Sequence, residues 1–222
     1  SIYIEHNDTK ILVDASPDLR EQFLNARIRA IDAVIFTHGH ADHSHGISEL
    51  REVNRVINGP LDIWGDENTL EELKKRYNYA FEGLNPGETI YKPWLITNNI
   101  YPPKEFIIND LTIKPFYQIH GNTNTIGYRF KNFAYTTDLN KLTDDAKNSL
   151  YNLDLWIIGC LTDNLKHKTH VSVTEAIEWV KEFKPKKCII SHMGPTLDYD
   201  TVRNNCLPHS MIPAYDGLII TV

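Results

Sequence analysis

Strands and helices alternating along the whole chain predict an α/β fold, with mixed sheets covered by helices. Three observations carry that expectation. Short apolar runs such as Ala33-Val34-Ile35-Phe36 read as buried strands. Ile47, Leu50, Val53 and Ile57 recur at helical spacing, and segments of both kinds interleave from end to end. No repeat or linker divides the 222 residues, a length that suits a single domain, 1–222, with a well-buried core.

Taken in order, residues 2–5 and 10–14 run or alternate apolar around Asn7-Asp8, the pattern of a hairpin. Ser16-Pro17 predicts an N-cap with proline at the first helical position, and a helix through Arg27. After the strand at 33–36 and a histidine-rich stretch, the helix carrying Ile47 to Ile57 has a stop at Gly59. Residues 61–64 read as a strand and 68–79 as a helix. Residues 82–104 differ, holding Pro86, Pro93, Pro102 and Pro103 beside Tyr91, Trp94 and Tyr101. Such a long irregular segment is a lid, a partner surface or a packed crossover. Strands follow at 105–109, 111–119, 126–130 and 133–137, with turns at Asn109-Asp110 and Lys131-Asn132. A helix at 142–150 leads to a strand at 155–158, and Ser172-x-x-Glu175 is a capping box opening a helix through Phe183. Residues 188–191 form a strand, 198–206 a short helix, and 218–222 the last strand.

Composition narrows the function classes. A net charge of −6 argues against a broad nucleic-acid surface, which needs clustered Lys and Arg. A small phosphate-bearing substrate stays open, because bound cations can supply positive charge locally. Cys160, Cys188 and Cys206 are odd in number and widely spaced, so they predict free buried thiols in a reducing cytosol. No apolar run is long enough to span a membrane, and no signal peptide is visible. A cytoplasmic protein without a membrane partner is expected. The chain opens at Ser1 inside a strand-like pattern, so a segment before it is expected to be missing.

The strongest signal is Thr37-His38-Gly39-His40-Ala41-Asp42-His43, directly after an apolar strand. A strand end is a rigid platform, and the loop after it can aim several side chains at one point. His38 and His40 are two apart, so both imidazoles can reach one metal, while Asp42 and His43 can turn toward a second. Imidazole and carboxylate suit zinc, manganese or iron rather than calcium.

His-x-His-x-Asp-His after a strand resembles the signature of the metallo-β-lactamase superfamily. The other signature positions are found in order: Asp14 after Leu12-Val13, His120 after Gln118-Ile119, Asp138 after Thr136-Thr137, and His192 after Ile190-Ser191. The stretches 40–47, 127–130 and 215–217, with Thr169-His170 before the capped helix, look like the PhnP branch, which includes phosphoribosyl 1,2-cyclic phosphate phosphodiesterases. The resemblance implies an αββα sandwich of two mixed sheets flanked by helices. The family's Gly/Ser-rich opening and first strand are absent here.

By this resemblance His38, His40 and His120 hold one metal, Asp42, His43 and His192 the other, and Asp138 bridges them. The cofactors expected are two divalent ions, Mn2+ or Zn2+ with Fe2+ as an alternative. Asp14 is expected to orient the histidine loop through a hydrogen bond, or else to cap the helix after Ser16. His170, with Asp42 and Asp138, completes the catalytic set, as proton donor to the leaving group or as a phosphate ligand. His45 lines the rim or packs at a helix start, and Arg129 is a minor candidate for a phosphate contact.

The implied activity is a binuclear metal-dependent phosphodiesterase acting on a small cyclic phosphodiester through metal-bound hydroxide. Alternatives on the same metals are a tRNA-processing nuclease and a thiolester or lactone hydrolase; the non-enzyme alternative is an inactive metal-binding scaffold. A tRNA nuclease would want a basic arm, yet residues 82–104 pair Glu82 and Glu88 with Lys92 and Lys104. Redox relatives replace a motif histidine with glutamate, and His40 is retained. The expected partner is a small phosphodiester, without nucleic acid or membrane, and relatives of this kind often form homodimers.

Overall fold

The computed structural model describes residues Ser1–Val222, which divide into two compact units. One comprises residues 1–101 and 107–111, the other 102–106 and 112–222.

In the first unit, β1 (Ile2–His6) and β2 (Thr9–Val13) form the expected antiparallel hairpin around Asn7. Next come α1 (Leu19–Ala26), β3 (Ala33–Ile35), α2 (Ala41–Ser44), α3 (Leu50–Ile57), β4 (Leu61–Gly65), α4 (Glu67–Arg76) and β5 (Leu95–Asn99). The sheet order is β1-β2-β3-β4-β5, parallel from β2 onward. Its core gathers Leu12, Val34, Phe36, Ile47, Leu50, Ile63 and Leu73, the apolar positions of strands and helices alike.

Three sequence expectations shift. Ser16 does not cap α1: its hydroxyl turns to the Gln22 side chain at 3.1 Å, and the helix starts later, after Asp18. The stop of α3 is Asn58, left-handed at φ 52°, one residue before Gly59. The segment 82–104 contains β5, an edge strand with its two asparagines at the end. The chain leading into β5 is packed down. Buried Asn54 holds both the N–H and the carbonyl of Trp94, at 3.0 and 2.9 Å, and Arg55 donates to the Ile90 carbonyl at 2.8 Å.

The later part of the chain begins with β6 (Phe106–Ile108), β7 (Leu111–His120), β8 (Thr123–Phe130), β9 (Phe133–Thr136), β10 (Lys141–Leu142) and α5 (Asp144–Ser149). Then follow β11 (Leu155–Thr162), β12 (Val171–Ser172), α6 (Val173–Phe183), β13 (Lys187–Ser191), α7 (Tyr199–Cys206) and β14 (Met211–Pro213). The second sheet runs β10-β7-β8-β9-β11-β13-β14, antiparallel from β10 to β9 and parallel beyond. Phe116, Trp156, Ile158, Phe183, Ile190 and Met211 build its core, and the Trp156 indole donates to the Thr136 hydroxyl at 2.9 Å. Both sheets are mixed and each carries its own helices, the class the sequence predicts.

The strand expected at 218–222 does not form. A turn closed by Leu218 N–H on the Tyr215 carbonyl, with Gly217 at φ 83°, breaks the extension, and Ile219 is exposed. The three cysteines are free and buried, and burial pushes their thiols up, Cys206 to about 11. No helix is long and apolar enough to cross a membrane.

The capping box of α6 is complete: Ser172 Oγ accepts from Glu175 N–H at 3.2 Å, and Ser172 N–H donates to the Glu175 carboxylate at 3.0 Å. Ser172→Ala should therefore cost about 1 kcal/mol. Urea unfolding of metal-stripped protein should show this as a lower midpoint at unchanged slope. An unshifted midpoint would mean that packing alone fixes the start of α6.

Candidate metal centre

In the first unit the site begins with Asp14, the residue after β2, in a left-handed conformation at φ 62°. Aspartate tolerates that region better than most residues. The Asp14 N–H is held by the Ile35 carbonyl at 2.9 Å, which turns the carboxylate beneath the loop that follows β3. Only 1% of Asp14 is exposed, so its charge must be satisfied by hydrogen bonds. Oδ1 accepts from Thr37 N–H at 2.8 Å; Oδ2 accepts from the Thr37 hydroxyl at 2.8 Å and faces His43 Nδ1 at 2.7 Å.

This network sets two tautomers. A carboxylate oxygen can only accept, so His43 carries its proton on Nδ1. The Thr37 hydroxyl donates its one hydrogen bond to Asp14, so it accepts from His38 Nδ1, 3.0 Å away. Both rings therefore place their lone pair on Nε2, the form a metal ligand needs. The His40 and His43 rings each lie 4.4 Å from that of His38. Asp42 is exposed, with Oδ2 3.3 Å from His43 Nε2. The loop is seated by backbone bonds from Ala15 N–H to the His43 carbonyl and from Gly46 N–H to the Ala15 carbonyl, at 2.8 and 2.9 Å. A side chain at Gly46 would collide with the Ser16 carbonyl, so this approach needs glycine.

The second unit repeats the strand-end device. His120 ends β7, Asp138 lies two residues after β9 at φ 49°, and His192 follows β13 at φ 53°. His120 Nδ1 donates to the Thr169 carbonyl at 2.8 Å, so its lone pair too is on Nε2. The Asp138 carboxylate is divided: Oδ1 faces His192 Nε2 at 3.1 Å and accepts from the Thr137 hydroxyl at 2.8 Å. Oδ2 faces His170 Nε2 at 3.3 Å and His120 Nε2 at 3.9 Å. The His170 ring stacks on His192 at 5.4 Å and meets the edge of His120 at 4.8 Å. The imidazole and carboxylate donors of each unit, with tautomers held by neighbours, fit divalent metal ions.

Several residues around the centre carry no sequence signal. Asn140 braces both sides of His120: it accepts from Gly121 N–H at 3.0 Å and donates to the Lys168 carbonyl at 2.9 Å. Buried Gln118 donates to the Thr137 carbonyl and to the Thr125 hydroxyl. These are common residue types whose partners lie far along the chain, so no local pattern marks them. His45 stands 6.3 Å from the Tyr77 ring. Arg129 is not a phosphate contact: its guanidinium donates to the carbonyls of Lys131, Ser149 and Tyr151.

Residues 9–193, which include every position from Asp14 to His192, match the beta-lactamase superfamily domain. The chain belongs to that superfamily. It is similar to a solved diphosphatase of the PhnP family, 27% identical with a TM-score of 0.86, over 97% of this chain and 81% of that one. The short form of human tRNase Z shares the fold, at 14% identity and a TM-score of 0.75, over 99% of this chain and 90% of that one. Among curated proteins it is 29% identical to an octanoyltransferase of Porphyromonas gingivalis over 94% of this chain. It is 23% identical to the exodeoxyribonuclease WalJ of Streptococcus pneumoniae over 87%. The chain spans 42% of the first of these relatives and 66% of the second.

Because Asp14 fixes the ring of His43 and, through Thr37, that of His38, Asp14→Ala should weaken metal binding by about 10–100-fold. Zinc titration of the stripped, folded variant against a chromophoric chelator measures this. Parent-like affinity would show that the loop holds its histidines without the carboxylate.

Proposed function

We propose that the chain is a binuclear metal-dependent phosphodiesterase whose substrate is a small cyclic phosphodiester, such as a phosphoribosyl 1,2-cyclic phosphate. The observation that carries the reading is the divided Asp138 carboxylate, with one oxygen toward His192 and the other toward His170 and His120. A carboxylate so placed is suited to bridge two ions. The donors suffice for two ions: His38, His40, Asp42 and His43 in the first unit, His120, Asp138 and His192 in the second. Bound ions would supply an ionised water as nucleophile near neutral pH and offset charge on the phosphoryl oxygens. Manganese, zinc and iron all suit such donors.

The remaining work falls to the protein. Asp14 and the Thr169 carbonyl hold ligand rings in one tautomer. His170, beside Asp138, donates a proton to the leaving oxygen or binds a phosphate oxygen. The likeness to a PhnP-family diphosphatase favours a small phosphate ester, and the net charge of −6 gives no broad surface for tRNA. Acyl transfer, suggested by the octanoyltransferase relative, finds no thiol carrier here, because all three cysteines are buried with raised thiols.

Turnover of bis(p-nitrophenyl) phosphate, a cyclic ribose phosphate, a precursor tRNA and an octanoyl thiolester by metal-loaded protein tests the class. Hydrolysis of the cyclic phosphate is expected; thiolester cleavage without phosphodiester turnover would overturn the reading. Metal analysis should find close to two ions per chain, with both lowered in Asp138→Ala. His170→Ala should leave metal content unchanged. If His170 is a general acid, the variant should lose on the order of 10²–10⁴ in rate with a poor leaving group and far less with p-nitrophenolate. Equal losses on both substrates would assign it to phosphate binding, and full activity on the cyclic phosphate would exclude both roles.

A further inference from the structure

Behind the metal loop of the first unit lies a basic side chain that the chemistry above leaves unused. Arg76 closes α4, and its Nη1 donates to the carbonyl of Gly39, the residue between His38 and His40. The same nitrogen donates to Ser44 Oγ at 3.2 Å, and Ser44 Oγ donates in turn to the His40 carbonyl at 2.9 Å. The other nitrogen, Nη2, is held by Glu72 one helical turn earlier. Gly39 is buried against this pair: a Cβ there would run into the Glu72 carboxylate.

We propose that Arg76, oriented by Glu72, is a positioning residue for the metal loop: it fixes the peptide between His38 and His40 and thereby the aim of both imidazoles. The proposal rests on the reading of His38 and His40 as metal ligands. Three features support it. The two carbonyls that follow His38 are the ones gripped, Gly39 by Arg76 and Ser44, and His40 by Ser44. Arg76 and Glu72 have side chains 35% and 48% exposed, and an ion pair so open to water contributes little to global stability. What the pair can control is local geometry, and ligand constellations lose function when their support loosens by a fraction of an ångström. The planar guanidinium suits the task because one rigid fork reaches the loop and the helix at once, which an ammonium cannot.

Cobalt(II) titration of the stripped protein, read by its visible ligand-field bands and by competition with a chelator, tests the idea without turnover. Arg76→Met should lower cobalt affinity by about 10–100-fold and alter the band pattern, as loss of an outer support does. The melting temperature of the metal-free protein should stay at the parent value, and Arg76→Lys should bind between parent and Arg76→Met. Gly39→Ala, which displaces Glu72, should weaken binding alone but add little in a Glu72→Ala background, since both changes disable one clamp. Parent-like affinity and spectrum in Arg76→Met would overturn the proposal. So would a metal-free protein destabilised in step with its lost affinity, or additive effects at positions 39 and 72. A parent that binds no cobalt would instead remove the reading of His38 and His40 as ligands, and this proposal with it.

Discussion

The buried carboxylate of Asp14 is the constraint on which the histidine loop after β3 depends. An ionised group almost fully removed from water survives only if its oxygens are filled with donors, and here three are supplied from residues 37 and 43. Those donors belong to the loop after β3, so satisfying the charge and folding the loop are one event. Any displacement of the loop leaves a buried charge short of partners, which costs more than most packing defects. The loop therefore has one stable seat. In that seat His43 is tied to Asp14 directly and His38 through Thr37.

The second constraint is backbone handedness at strand ends. Asp14, Asp138 and His192 each follow a strand within two residues and each takes positive φ. A strand sends successive side chains to alternate faces and along its own line. One left-handed residue at its end reverses the chain sharply and turns that side chain back over the strand tip. Aspartate and histidine bear this conformation at lower cost than β-branched residues. Residue types able to hold a metal ion, or to orient one that does, thus also meet the backbone requirement. β11 passes below, and Gly159 belongs there because a Cβ would press on Thr137 and on the Cβ of His192, at 2.9 and 3.2 Å.

How much of this was legible follows from where each signal is stored. The 38–43 cluster is local, so spacing alone announced it. His120, Asp138 and His192 are single residues; they became readable through a family resemblance joined to strand ends already visible as apolar runs. The hairpin at Asn7 and the capping box at Ser172 were legible because their chemistry spans a few residues. Strand β5 was not. It lies at an edge, only Leu95 of its five residues is buried, and tertiary pairing with β4 rather than its own pattern makes it extended. The tail at 218–222 failed in the opposite sense: its β-branched residues suit a strand, but the turn before it denies them a neighbour. Arg76, Asn140 and Gln118 stayed hidden because each acts on a backbone carbonyl, and a carbonyl has no sequence.

The remaining distinction is among the histidines. His43 faces a carboxylate, His38 a hydroxyl whose proton is already committed, and His120 a peptide carbonyl. Each of these partners can only accept, so each ring has one tautomer and one nitrogen to offer. His170 differs. Its Nε2 faces the Asp138 carboxylate at 3.3 Å and so carries a hydrogen, but its Nδ1 lies 2.8 Å from the Thr169 hydroxyl, which can give or take a proton, and 3.3 Å from Nδ1 of His167. Thr169 thus serves two rings in opposite ways, locking His120 with its carbonyl and leaving His170 adjustable with its hydroxyl. A ligand needs one protonation state for as long as the metal stays. A group that passes a proton must be stable in two, and a hydroxyl neighbour that rotates to suit either is the support such a group requires.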